Sequence, residues 1–169
     1  QNLPAFVVFS DWRGGPIGGA PNWGCGFMPA AYQGTPFRSQ GDPIVDLRPN
    51  REMTPERQRR WLDLLARLNQ EHLARNPEDA ELASRIASYE LAFRMQSAGP
   101  ELLDFSKETP ATLEMYGINN EVTRPFGANC LLARRMIERG VRFIQIMHPT
   151  WDDHSDLNKK LKKNCDITD

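Results

Sequence analysis

The stretch "HPTWDDH", His148 to His154, gathers the groups of this chain best suited to proton, ester or metal chemistry. Two of its three histidines lie here, with Asp152 and Asp153 between them and Asp156 just beyond. Asp152 and His154 are two positions apart. In extended or turning backbone, side chains at i and i+2 point the same way, so both can reach one ion. On a helix they would diverge. Asp153 then points elsewhere. Carboxylate plus imidazole suits Zn or Mn and admits Ca or Mg. A mononuclear centre takes at least three protein ligands, and the stretch offers two. His148 is a candidate third ligand or an outer partner. Trp151 is placed to wall the site, and Asp156 to act as an outer acceptor or as the N-cap of a following helix. A polar strand-to-helix loop would carry the same residues, and a histidine at a strand end commonly bonds to backbone. Spacing alone leaves both readings open.

The elements that must position this stretch are legible on either side. The apolar run "VRFIQIM" (141–147) predicts a buried strand. Before it, "RPFGANCLLARRMIERG" predicts a helix opened by Pro125 and closed by Gly140, with Phe126, Cys130, Ala133 and Ile137 inward. Arg134, Arg135 and Arg139 fall toward its C-terminal end, where the helix dipole favours cations. Helix, glycine, strand is the αβ half of a parallel α/β unit. In such sheets ligands collect beyond the carboxyl ends of the strands, which is where "HPTWDDH" lies. "AFVVFS" (5–10) predicts a second strand, buried on both faces.

Residues 11–37 are rich in Gly and Pro and predict a long loop. It contains Trp12, Trp23, Phe27 and Tyr32. Trp23 and Tyr32 are candidates to line a substrate pocket by stacking on a sugar ring; the alternative is that these rings pack the loop onto its own domain. Neither GxGxxG nor GxxxxGK[ST] occurs, which disfavours a nucleotide-phosphate cradle. The middle of the chain predicts a helical hairpin over 54–97, inserted in the domain. Thr54 and Pro55 open its first helix, and Trp61, Leu64 or Leu65, Leu68 and His72 make an apolar stripe, His72 reading as packing or capping. Asn76 and Pro77 open the second, with Leu82, Ile86, Tyr89 and Phe93 on one face and Gly99–Pro100 as its stop. Short helices are expected in "PELLDFS" and "TPATLEMYG".

The chain has 169 residues and a net charge of −1. Nothing pulls it strongly toward nucleic acid or anionic membrane. No window approaches the roughly 18 apolar residues of a membrane span. The basic run "KKLKK" (159–163) reads as a solvated helix face. Three cysteines, Cys25, Cys130 and Cys165, without a CxxC, disfavour a paired disulfide framework and a structural zinc knot. The chain opens directly on a strand-like run and ends without an obvious terminal element. It reads as an internal fragment, residues 1–169, of one larger α/β domain.

The long string from "FGANCLLARRMIERG" to "DITD" resembles the exported bacterial family known as domain of unknown function 1501. So do "QNLPAFVVFS", "WGCGFMPAAYQGTPFRSQGDPI" and "ASYELAFRMQSAGPELLDFS", in the same order, so the likeness covers nearly the whole chain. That family is similar in plan to the sulfatase and alkaline phosphatase superfamily. The resemblance implies a partial α/β domain of that kind, with parallel strands, a helical hairpin insert and a divalent metal cluster at the crest of the sheet. It gives Asp152 and His154 the role of metal ligands. A second Asp-His pair and an N-terminal Asp would lie beyond Asp169 and before Gln1. It implies hydrolysis of a small-molecule or glycan sulfate or phosphate ester, and export to the periplasm, commonly by the twin-arginine route. The superfamily's C/S-x-P-x-R nucleophile setting is not met: "CLLAR" (130–134) lacks the proline and lies mid-helix, and Cys25 has no Arg at that spacing. No catalytic nucleophile is assigned. The rival expectation is a non-catalytic exported scaffold that keeps the fold and binds glycan or protein.

Overall fold

Strand β1 (Phe6–Ser10) is the middle of a three-stranded parallel sheet, flanked by β2 (Thr35–Arg38) and β3 (Phe143–Ile146). The computed structural model describes residues 2–11, 13–29, 32–38, 53–77 and 80–169. Val7, Val8 and Phe9 are fully buried. A central strand of a parallel sheet is covered on both faces, so its sequence is continuously apolar rather than alternating. Phe9 sits beside Phe37 in register, with the rings edge to face at 5.7 Å.

Strand β2 interrupts the stretch expected to be loop. It is only four residues long and contains Pro36, which an outer strand tolerates because one side of its backbone needs no ladder bond. The expected burial of β3 is also corrected. Among the described residues it is an outer strand, half-buried, with Phe143 exposed.

Helix α4 (Arg124–Glu138) covers the sheet. Leu132, Ala133 and Met136 join Val7, Phe9, Phe37, Leu102 and Val141 in the core. Fully buried side chains such as Met136 and Phe9 stabilise the fold by about 1.5–3 kcal/mol each. Of the expected inner face only Ala133 is buried; Phe126 and Cys130 are half-buried and Ile137 is exposed. The core takes Leu132, Ala133 and Met136 instead, a stripe turned round the helix from the expected one. Gly140, with φ +89°, ends the helix in a Schellman turn, Val141 N–H donating to the Met136 carbonyl. The chain then enters β3, so the helix–glycine–strand reading holds.

Helices α1 (Pro55–Arg75) and α2 (Ala80–Leu103) form the hairpin. The Thr54 hydroxyl caps α1 by accepting from the Arg57 N–H at 3.2 Å. Asn76 closes α1 instead of opening α2: its backbone and side-chain N–H groups both donate to the His72 carbonyl. Helix α2 does not stop at Gly99–Pro100. Pro100 costs one helical bond, yet burial of Met95 and Leu102 in the domain core carries the last turn onward. The expected stripe of α1 is corrected too. Trp61, Leu64, Leu65, Leu68 and His72 are exposed, while Leu62, Ala66, Asn69 and Leu73 are half-buried. Arg59 ties the helices together, bonding Glu90 at 2.9 Å and lying over the Phe93 ring.

The helix expected in "PELLDFS" is the end of α2 plus a 3-10 turn at Phe105–Lys107. Helix α3 (Pro110–Met115) follows, capped by Thr109. Helix α5 (Leu157–Thr168) packs on α4. Among the described residues no helix is long and apolar enough to cross a membrane.

Candidate functional site at the crest of the sheet

β1 has its neighbours on opposite sides, reached by successive crossovers, so the carboxyl end of the β1–β3 pair is a topological switch point. The segments leaving β1 and β3 meet there. Asp11, directly after β1, accepts from the Arg13 backbone N–H at 2.8 Å and from Arg13 Nε at 3.0 Å on Oδ1, and from Nη2 at 3.2 Å on Oδ2. Both side chains are nearly covered, 8% and 12% exposed. Arg13 reaches on to His148 Nε2 at 2.7 Å, past the end of β3, and to Asn164 Oδ1 of α5 at 3.2 Å. One guanidinium therefore joins both crest loops to a helix, using the planar fork that Arg alone provides.

His148 is enclosed. Trp151 Nε1–H donates to its Nδ1 at 2.8 Å, and Phe126 meets its ring edge-on at 5.4 Å. Desolvation, and secondly the Arg13 charge, hold its pKa below the ordinary value, with Asp11 opposing. A neutral imidazole has one lone-pair nitrogen, so of the two donors facing it, Arg13 at Nε2 and Trp151 at Nδ1, it accepts from one in each tautomer. Neither ring nitrogen of His148 is left without a protein neighbour. The backbone beyond it is held hard: Thr150 has φ +69°, unfavourable for a β-branched residue. Buried Asn164 clamps it by donating to its carbonyl and lying 3.2 Å from its hydroxyl.

Asp152 and His154 come together, as the i, i+2 spacing allows, Nε2 to Oδ1 at 3.4 Å. Their side chains are 84% and 88% exposed. Asp153 turns the other way and pairs with Lys160 Nζ at 3.1 Å. Among the described residues no group of three or more His, Cys, Asp or Glu is arranged to hold an ion. Asp156 occupies the N-cap position of α5 with left-handed backbone and makes no side-chain cap bond. Trp151 is partly exposed beside His148.

In the loop after β1, Trp23 is half-buried and its carbonyl accepts from Gly34 N–H at 2.8 Å, while Phe27 and Tyr32 stand exposed. Trp12 lies outside the described residues. Cys130 is half-buried and burial pushes its thiol pKa up, which suits packing and not nucleophilic attack. Asp11, Arg13 and Asn164 were not singled out from the sequence. The rule that picked the segment after β3 also picks Asp11 after β1; nothing local marks Asn164.

The class defined so far is a mixed α/β protein with a three-stranded parallel sheet and a polar crest. The chain belongs to the family described as "Protein of unknown function (DUF1501)", which it matches over residues 1–169. No curated protein and no solved structure matches it.

Proposed function

We propose that this chain carries part of the active site of a metal-dependent hydrolase of the sulfatase and alkaline phosphatase type, acting on a sulfate or phosphate ester. One observation carries the reading: Asp152 and His154 sit 3.4 Å apart on the segment that leaves β3 at the switch point. Among the described residues neither is committed to any other protein group. The donor set fits a divalent ion such as Zn, Mn, Ca or Mg, as far as two ligands go. On this reading the remaining ligands and the nucleophile lie outside these 169 residues. A bound ion would supply polarisation of the ester oxygen. The chain's own share is positional. The Asp11–Arg13–His148–Asn164 network fixes both crest loops, and the ion pair of Asp153 with Lys160 anchors the residue between the two ligands. Export to the periplasm belongs to the same reading.

The test uses the parent protein and its Asp152→Ala/His154→Ala variant. The expected result is lost metal content and lost hydrolysis of an aryl sulfate or aryl phosphate, with the metal-free proteins melting alike because both side chains are exposed. Unchanged metal content and turnover would overturn the proposal. The second reading is a non-catalytic scaffold binding glycan or protein. The exposed Phe27 and Tyr32 of the β1 loop favour it. It requires that a Phe27→Ala/Tyr32→Ala variant lose glycan or partner binding in a parent that turns over neither ester.

A further inference from the structure

Helix α1 has two apolar faces. The half-buried one, Leu62, Ala66 and Leu73, lies against α2, and no residue of α1 is fully buried. The other runs through Trp61, Leu64, Leu65 and Leu68 and lies open, with Trp61 57% exposed. At its upper end a shallow groove is lined by Arg57, Arg60, Trp61 and Leu64. A monomeric helix hairpin gains nothing from a second exposed stripe of one Trp and three Leu.

The arrangement along the helix says what fits it. Helix α1 spans residues 55–75, so its midpoint is Leu65. The apolar block 61–68 is centred on the same point. Arg57 lies on one side of the block and Glu71 on the other. An antiparallel copy related by a two-fold axis near Leu64 and Leu65 therefore overlaps along the whole helix, about 31 Å. It sets Trp61 against the second copy's Leu68. It also sets Arg57 beside the second copy's Glu71, twice, because the contact is isologous. Among the described residues neither Arg57 nor Glu71 has an ion-pair partner within its own chain, whereas Asp63 and Glu90 are already engaged by Arg59. Antiparallel packing also places each positive helix end beside a negative one.

We propose that this face of α1 is a homodimer contact, in which two hairpins form a four-helix arrangement with the α1 helices at its centre. The occupant is a second copy of this chain, recognised by an apolar block with self-complementary charges at its ends. The proposal is independent of the crest chemistry.

The test is sedimentation equilibrium and native mass spectrometry of the full chain with three variants. The wild type is expected to dimerise with concentration. Arg57→Glu and Glu71→Arg are each expected to weaken the dimer about tenfold or more, since each turns two attractive pairs into repulsive ones. The double variant Arg57→Glu/Glu71→Arg is expected to restore it. Both reversals put the new charge where the helix dipole favours it, so a weaker dimer cannot be blamed on a lost helix; circular dichroism checks this. A monomer at every concentration, a dimer indifferent to both single reversals, or a double variant no better than the singles would each overturn the proposal. The first outcome would mean that another segment or partner covers the face.

Discussion

Replacing Arg13 by alanine tests the idea that one side chain holds the crest together. The substitution removes the cation from Asp11, whose carboxylate is only 8% exposed, and cuts the links to His148 and Asn164. Deleting one partner of a buried pair costs about 3–5 kcal/mol, mostly from the charge left behind. Asp11 still has the backbone N–H of residue 13, and neither side chain is wholly dry. The expected cost is therefore about 2–4 kcal/mol, since charge-assisted bonds contribute about 1.5–3 kcal/mol each. In a chain of this length that lowers melting by about 4–16 °C. Urea unfolding followed by circular dichroism measures it. Arg13→Lys keeps the charge but loses the fork, so it should fall between wild type and Arg13→Ala. Asp11→Asn/Arg13→Ala should be less destabilised than the two single costs added, by about 1–3 kcal/mol of coupling. If Arg13→Ala costs under about 1 kcal/mol, as an ordinary surface pair would, the network does not join the loops and the reasoning fails.

Two further outcomes follow from the same geometry. The folded-state pKa of His148 lies below its ordinary 6.5, so just under that pH the unfolded chain binds the extra proton. Stability is then complete above about pH 6.5 and falls as pH drops through the folded pKa. Asp11, Arg13 and Trp151 face this ring, and His148→Asn should flatten the profile between about pH 7 and pH 5. Urea midpoints at each pH decide it, and a slope equal in both proteins counts against it. Gly127 is buried where α4 starts, and a Cβ there would collide with the Tyr116 carbonyl oxygen. Gly127→Ala should cost about 1–3 kcal/mol or more from overpacking, while Gly15→Ala, with nothing within 4 Å, should leave melting unchanged.

What was legible in the sequence was local. The Thr54–Pro55 start of α1, the start of α3 at Pro110 and the glycine stop of α4 at Gly140 are set by residues within one turn. The apolar runs of β1 and β3 are set by composition over a few positions. What failed was the phase of the helices. An amphipathic stripe says that a helix has an apolar face, not which neighbour covers it. Hence Trp61, Leu64 and Leu68 were expected inside and lie outside, while Leu132 and Met136 take the core in place of Phe126 and Ile137. Strand β2 is not legible, because four residues with a proline carry no period. At the crest, the approach of Asp152 to His154 is legible because i, i+2 is local geometry. The partners of Arg13 lie 135 and 151 positions away, a separation no local pattern encodes.

The crest itself has two parts, and the second depends on the first. Backbone that alternates sides makes the orientation of one residue decide that of its neighbours. Asp153 is drawn against α5 by Lys160, its side chain 16% exposed. Asp152 and His154 are therefore turned outward together, and their 3.4 Å approach is a consequence of that anchor. The anchor works only if the segment before it is fixed, and that is what Asn164 does at Thr150 and Arg13 does at His148. Ligands aimed from a loop need a supporting shell to hold them within about half an ångström of working geometry. Asp11, Arg13, His148 and Asn164 form the kind of shell that the proposed site requires, the charges of Asp11 and Arg13 neutralising one another beneath the exposed Asp152 and His154.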